Sequence, residues 1–266
     1  MIPLPLPFAV QLVLAVAAFL IAPRIARASK PAWVGTSVVA LGVLLCWPLL
    51  RVVPVQAIEL MGARFVACIE LTGLAVPAVL LFGVASRHLP RQSDRRAVLM
   101  LTAVAAIYFV KAGWWMVSPG VVGLGPTNID GHGLCRQSTE YTCVAASMVT
   151  VLRARGIPAE ETEMARLAYT QVGGGATDSR ALWALESKLR GTELKPKYKR
   201  LDQAGLIAAA KPCMVQLDWG YFVSHMVPVM EASADRVVIG DPINGRREMT
   251  LQKFMAEWKG KAITVE

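Results

Sequence analysis

The chain has 266 residues, of which 55% are hydrophobic, and it carries a formal net charge of +9. Its mean hydropathy of +0.46 is higher than a soluble domain of this size normally shows, so we expect part of the chain to lie in a membrane. The basic excess belongs to that part, since residues 1–118 carry +7 and residues 119–266 only +2, and this distribution argues against a nucleic-acid partner.

Residues 1–118 contain long apolar stretches. An α-helix of about 20 residues crosses the hydrocarbon core of a bilayer. The pattern predicts four such spans, at residues 4–22, 32–50, 65–86 and 97–118. The first has no basic residue before its apolar run and no clear cleavage site after it, so we interpret it as a retained helix. These spans predict a multi-pass anchor in contact with the lipid bilayer.

The charge of the connections predicts the orientation of this anchor. Basic residues cluster after the first and third spans: Arg24, Arg27, Lys30, Arg87, Arg91, Arg95 and Arg96. Loops rich in Lys and Arg stay in the cytoplasm. With four crossings, the chain that follows the last span is expected on the periplasmic or extracellular side.

The amino-acid composition of the chain changes after the last predicted span. Residues 119–131 are rich in Gly, Pro, Asn and Asp, which predicts a linker, and residues 132–266 form a second region. Helical patterns come first, beginning with "TCVAASMVTVLRARG", where Thr142 can cap the helix. Short β-branched runs follow: "PCMVQLDW", "SHMVPVMEA", "RVVIGDP" and "AITVE". Helices followed by short strands predict an α+β domain with a small antiparallel sheet.

Four residues of this domain suggest nucleophilic catalysis. Cys143 is at the predicted start of a helix, where a thiolate is stabilised, and His225 opens a predicted strand on which an imidazole can be held as the base. Asp241 ends the next strand and can fix the imidazole tautomer. Gln137 can donate its side-chain amide to the oxyanion, together with the backbone N–H of Cys143. The pattern predicts a Cys-His-Asp triad with a Gln oxyanion donor.

The remaining cysteines of the domain, Cys135 and Cys213, are a possible disulfide if the domain faces an oxidising compartment. Neither CxxC nor HxxxH spacing occurs, so a zinc site is not predicted. Acyl transfer through a thiolate needs no metal or organic cofactor, and we expect none.

Three blocks of residues, "CRQSTEYTCVAAS", "KPCMVQLDWGYFVSHMVPV" and "VVIGDPINGRREMTLQKFMAEWKG", resemble the peptidase C39 family of papain-like cysteine peptidases. Its members include the bacteriocin-processing domains of bacterial ABC exporters. The resemblance implies Gln137 as oxyanion donor, Cys143 as nucleophile, His225 as base and then acid, and Asp241 as its orienting partner. It also implies a bacterial inner-membrane location. Exporter-linked members cut leader peptides after a double glycine, but this chain has no G-x-x-x-x-G-K-[ST] phosphate loop, so any export machinery would be a separate partner.

The sequence therefore predicts a membrane-anchored cysteine peptidase acting on a peptide or protein substrate. Two alternatives stay open. One is a catalytically silent peptide-binding module of an export system, although the presence of Cys143 argues against it. The other is an acyltransferase or amidase that uses the same triad, because the attacking chemistry is identical.

Overall fold

A computed structural model describes residues 5–47, 54–70, 72–118, 120, 123–220 and 224–266. The chain separates into two compact units, Met1–Ser118 and Pro119–Glu266. Parts of five predictions lie outside the described residues. They are residue 4 of the first span, residues 48–50 of the second span, residue 71 of the third span, residues 119, 121 and 122 of the linker, and residues 221–223 of the second region.

The first unit is helical where the structure describes it. The helices are α1 (Pro5–Ala26), α2 (Lys30–Cys46), α3 (Pro54–Met61), α4 (Ala63–Ile69), α5 (Ala75–His88) and α6 (Gln92–Gly113), and a 3₁₀ turn (Trp114–Met116) follows α6. Helix α5 packs against α1, α2 and α6. Within the described residues, two helical segments are long and apolar enough to cross a membrane, Leu6–Ala26 and Gln92–Met116. Helices α2 and α5 are apolar but shorter, with 17 and 14 residues.

The predicted third span, residues 65–86, is wrong as one continuous helix, because α4 ends at Ile69 and α5 begins at Ala75. Trp47 occupies the space beside Gly73, where an added Cβ would lie 2.0 Å from the indole ring. Its indole N–H donates to the carbonyl of Glu70 at 3.3 Å, and the Thr72 hydroxyl donates to the carbonyl of Cys68 at 2.6 Å. These side chains satisfy carbonyl groups at the end of α4, so the helix ends there without a cost in buried unpaired groups.

The second unit is an α+β domain, as predicted. Its helices are α7 (Cys143–Arg153), α8 (Glu161–Leu167), α9 (Asp178–Lys188), α10 (Gln203–Ala208) and α11 (Leu251–Glu257). Two short strands, β1 (Asn128–Ile129) and β2 (Cys135–Arg136), pair with each other. The larger sheet contains β3 (Pro196–Arg200), β4 (Cys213–Asp218), β5 (Ser224–Ala232), β6 (Arg236–Asp241), β7 (Gly245–Thr250) and β8 (Trp258–Val265). Among the described residues its order is β3-β8-β4-β5-β6-β7, with every pair antiparallel.

The larger sheet is covered on both faces. Alternate residues of β4, Cys213, Val215 and Leu217, belong to an apolar core with residues of α10 and α11, including Leu206 and Phe254. Helix α7 packs on β5 and β4, and nearly all of its side chains are buried. Because successive strand residues point to opposite faces, the second set of β4 side chains faces α7. This packing fixes the N-terminus of α7 against the middle of the sheet.

Candidate active site

Cys143 is the first residue of α7 and is partly buried. The helix is fixed at this end by Ser147, whose hydroxyl donates to the carbonyl of Met226 in β5 at 2.9 Å. Thr142 occupies the N-cap position, but its hydroxyl donates to the carbonyl of Thr139 rather than capping the helix as predicted. The backbone N–H groups at the start of α7 favour negative charge on the Cys143 thiol.

His225 and Asp241 meet at one end of the neighbouring strands β5 and β6. His225 is the second residue of β5 and Asp241 the last residue of β6, and the two residues are 4% and 0% exposed. His225 Nε2 lies 2.9 Å from Asp241 Oδ1. This contact leaves Nδ1 for the Cys143 thiol, and interaction with the His225 ring lowers the pKa of that thiol. The structure thus brings the three predicted triad side chains together.

Both oxygens of the Asp241 carboxylate accept hydrogen bonds. Oδ1 also accepts the backbone N–H of Ile243 at 2.9 Å. Oδ2 accepts the side-chain amide of Asn244 at 2.7 Å and a guanidinium N–H of Arg247 at 3.3 Å. These donors satisfy a carboxylate that is fully buried, so its orientation toward His225 is fixed.

The electrostatics of the three groups are coupled. Burial raises the pKa of the Cys143 thiol, but hydrogen bonds from His225 and from the backbone of Met226 and Val144 outweigh it and bring the pKa below its usual value. Burial lowers the pKa of His225, but its bonds to Asp241 and Cys143 raise it to about 9. The pKa of Asp241 is raised by burial but falls well below its usual range because His225, Asn244 and Ile243 donate to it. The site therefore favours a thiolate beside a protonated imidazole at neutral pH.

Gln137 lies next to the turn that follows Asp241. Its backbone N–H donates to the carbonyl of Pro242 at 3.1 Å. Its side-chain Nε2 donates one hydrogen bond to the carbonyl of Thr139 at 2.7 Å. The amide has a second N–H, which can donate to another acceptor. Its Oε1 is buried and accepts no hydrogen bond from the described part of the chain. One hydrogen bond, donated by Gln137 itself, thus holds its side chain against the loop that leads to Cys143.

A cleft of about 290 Å³ opens beside Cys143. Its walls come from the loop before α7, from the glycine loop at residues 173–175, from α9 and from the α7-facing side of β4 and β5. The lining residues are Glu140, Tyr141, Cys143, Val144, Gly173, Gly174, Gly175, Ala176, Asp178, Gln216, Ser224 and Met226. The cleft is large enough for a few residues of an extended peptide.

Two features of the site have no clear signal in the sequence. One is the glycine loop, which the buried guanidinium of Arg180 holds by donating to the carbonyls of Tyr169 at 2.8 Å and Gly175 at 3.4 Å. The other is Trp219, whose ring stacks on His225 with centroids 4.0 Å apart. An aromatic residue shortly before the predicted histidine strand is the only hint of this contact.

The structure does not join Cys135 and Cys213, and both thiols are free and buried. Cys135 lies in β2, where its backbone N–H donates to Thr150 of α7 at 2.9 Å. Cys213 belongs to the apolar core shared with α10 and α11. Burial, with the nearby Glu161 carboxylate, raises the pKa of Cys135 to about 12, and burial also raises the pKa of Cys213. Among the described residues, no three His, Cys, Asp or Glu side chains are grouped to hold a metal ion.

An α+β domain with a cysteine at a helix N-terminus and a histidine on the adjoining sheet has the architecture of the papain-like cysteine peptidases. The chain belongs to the peptidase C39 family, because the sequence model of that family matches residues 132–266, half of the chain. The predicted class of enzyme, a C39 cysteine peptidase, is thereby confirmed.

Two curated relatives are similar to about half of the chain. A protein of Pseudomonas fluorescens described as a probable functional amyloid protease, FapD, is 25% identical over 136 residues. The match covers 50% of this chain but only 59% of that relative. An uncharacterised protein of Methanothermobacter thermautotrophicus is 26% identical over 140 residues, which are 53% of this chain and 92% of the relative.

Two crystal structures are also similar to part of the chain. The peptidase domain of Streptococcus ComA, a bifunctional ABC transporter, is 20% identical with a TM-score of 0.45, and the match covers 50% of this chain and 96% of that domain. A double glycine motif protease from an AMS/PCAT transporter, solved in complex with its leader peptide, is 20% identical with a TM-score of 0.42. That match covers 54% of this chain and 95% of the protease.

Proposed function

We propose that this protein is a membrane-anchored cysteine peptidase in which Cys143, His225 and Asp241 form the catalytic triad. The observation that carries the proposal is the 2.9 Å contact of His225 with the buried Asp241 carboxylate, beside a Cys143 thiol whose pKa the same imidazole lowers. The depressed pKa of Cys143 and the raised pKa of His225 are the shifts that a nucleophile and its acid partner need. Family membership supports the same chemistry.

The reaction follows from the positions of these groups. The Cys143 thiolate attacks the carbonyl carbon of the scissile peptide bond, and the carbonyl oxygen becomes an oxyanion. The backbone N–H of Cys143 and the second N–H of the Gln137 amide stabilise that charge. Protonated His225 gives its proton to the leaving amine, and a thioester remains on Cys143. Neutral His225 then takes a proton from water, which attacks the thioester and releases the acid product.

The first unit would serve as the anchor and α1 and α6 as the crossing helices. Loop charge supports placing the peptidase domain outside the cytoplasm. Both basic connections, with Arg27 and Lys30 after α1 and Arg87 and Arg91 before α6, lie between these two helices. The placement is therefore the same whether α2 and α5 both cross the membrane or both lie at its surface. A peptide substrate would then be cut on the outer side of the membrane.

A direct test is cleavage of a peptide library by the detergent-purified full chain, with product masses identifying the cut bond. The library should include peptides with a double glycine. Cleavage is expected from the wild type and from Cys46→Ser, which changes an exposed thiol of the first unit. It should be absent in Cys143→Ser, and cleavage that survives this substitution would overturn the proposal. An added amine that replaces water in the product would identify an acyltransferase instead.

A further inference from the structure

A buried carboxylate lies behind the loop that carries Gln137. Glu161, the first residue of α8, has a side chain that is 0% exposed. One of its oxygens accepts the backbone N–H of Ser138 at 2.8 Å, and the other accepts the hydroxyl of Ser138. The backbone N–H of Glu161 is itself held by the hydroxyl of Thr127 at 2.8 Å. Glu161 is therefore a fixed, charged acceptor for two donors of a single residue.

Ser138 directly follows Gln137, so Glu161 fixes the peptide unit that joins them. Between Ser138 and Cys143 the loop is closed by hydrogen bonds between Thr139 and Thr142. The N–H of Thr139 donates to the Thr142 hydroxyl, and both the N–H and the hydroxyl of Thr142 donate to the Thr139 carbonyl. The same Thr139 carbonyl accepts Nε2 of Gln137. The position of the Gln137 amide thus depends on a loop that is held at Ser138 on one side and at α7 on the other.

The chemistry of this contact favours a positioning role. A carboxylate is buried only where donors compensate for its lost hydration, and hydrogen bonds to a charged acceptor are stronger and shorter than those between neutral groups. Because both the backbone amide and the hydroxyl of Ser138 donate to Glu161, the orientation of Ser138 is fixed as well as its distance from the carboxylate. A simple structural contact could be made by either donor alone, whereas the pair sets the rotation of the Gln137–Ser138 peptide.

We propose that Glu161 is a positioning residue of the oxyanion hole, acting through Ser138 on the side-chain amide of Gln137. It touches neither substrate nor the triad. The inference rests on the proposed function, because it assigns Glu161 to the step in which the carbonyl oxygen gains negative charge.

Two reactions of the same thiol separate this role from a general effect on the fold. Iodoacetamide alkylates the Cys143 thiolate by displacing iodide, and no oxyanion forms. With p-nitrophenyl acetate, the thiolate attacks the ester carbonyl through an oxyanion, p-nitrophenolate leaves and an acetyl thioester remains. In Glu161→Gln, which keeps one acceptor oxygen but loses the charge, we expect acetylation of Cys143 to slow roughly 10- to 100-fold. Alkylation should stay within about twofold of wild type, since the thiolate itself is unchanged.

Glu160→Gln is the matched control, because it makes the same change at the adjacent carboxylate, which pairs with Arg153 and is more exposed. Its two rates should equal those of the wild type. In Ser138→Ala, which keeps the backbone bond to Glu161, acetylation should slow less than in Glu161→Gln. Equal acetylation rates in Glu161→Gln and wild type would overturn the inference, as would a parallel fall of both reactions. A wild type whose Cys143 reacts like an ordinary thiol in both assays would overturn the proposed function, and the role of Glu161 with it.

Discussion

The indole ring of Trp219 stacks on the imidazole of His225, with centroids 4.0 Å apart and the ring planes inclined by 30°. Trp219 is 40% exposed, whereas His225 is only 4% exposed, so the indole lies between the imidazole and solvent. The face of an indole attracts a cation, and its bulk keeps water from the bond between His225 and Asp241. Trp219 thus favours the protonated form of His225.

Replacing Trp219 by Ala is expected to reduce peptidase activity about 10-fold, because the protonated ring loses about 1 to 2 kcal/mol of cation–π and shielding energy. The pKa of His225 should fall, so the loss should be greatest at the alkaline end of the pH profile. Trp219→Phe keeps an aromatic face and should retain most of the activity. Steady-state rates across pH test this. Equal profiles for the Ala variant and the wild type would contradict a shielding role.

The Asp241→Asn variant should lose most of its activity, on the order of 100-fold or more, because the amide cannot hold the protonated His225 ring as the carboxylate does. The raised pKa of His225, about 9, depends on Asp241. Removing the negative charge should lower that pKa, so the alkaline limb of the rate profile should move toward neutral pH. Asp235→Asn, at an exposed carboxylate near the start of β6, should match the wild type. An unmoved alkaline limb in Asp241→Asn would show that Asp241 does not set the pKa of His225.

Gly240 allows close packing beneath the site. A Cβ at this position would lie 2.4 Å from the side chain of Leu134, which is 1% exposed, and 3.2 Å from Pro228. Gly240→Ala should therefore destabilise the second unit by about 1 to 3 kcal/mol through overpacking. Gly125→Ala, at a glycine with no atom within 4 Å of an added Cβ, should have little effect. Urea unfolding curves give the difference, and equal midpoints for the two variants would contradict the packing argument.

The placement of the domain can be tested with fused reporters. Alkaline phosphatase, which is active only outside the cytoplasm, should be active when fused after Glu266 and inactive when fused after Lys30, in the first basic connection. The protein should also stay in the membrane fraction after alkaline carbonate washing. If a reporter that works only in the cytoplasm is active when it is fused after Glu266, the peptidase domain lies on the cytoplasmic side instead.

Much of the catalytic domain could be predicted from sequence because its signals are local. The strands that carry His225 and Asp241 are rich in β-branched residues, and Cys143 follows a polar loop at the start of an apolar helix. The edge strands β3 and β7 are different, since "PKYKR" and "GRREMT" have no apolar alternation and gain their structure from pairing with β8 and β6.

Contacts between distant residues could not be predicted in this way. The break between α4 and α5 depends on the indole of Trp47, which lies in the preceding apolar region of the chain. The stretch from residue 65 to 86 is mostly apolar, and Glu70, Thr72 and Gly73 are the local signs of the break within it. The contact of Glu161 with Ser138 joins residues 23 positions apart, and Glu161 follows another glutamate in a run that is typical of an exposed helix start. Only the folded structure shows which of the two is buried.

The proposed function requires that Cys143 is an activated thiolate maintained by His225. Its most direct test is the rate of iodoacetamide labelling of the full chain across pH, with Cys143→Ala giving the background. Labelling of wild-type Cys143 should persist well below pH 8, because its pKa is lowered, and labelling in His225→Ala should fall at least about 10-fold at pH 6 to 7. Labelling that follows the pH dependence of an ordinary thiol, at a rate that the His225→Ala substitution leaves unchanged, would show that His225 does not activate Cys143.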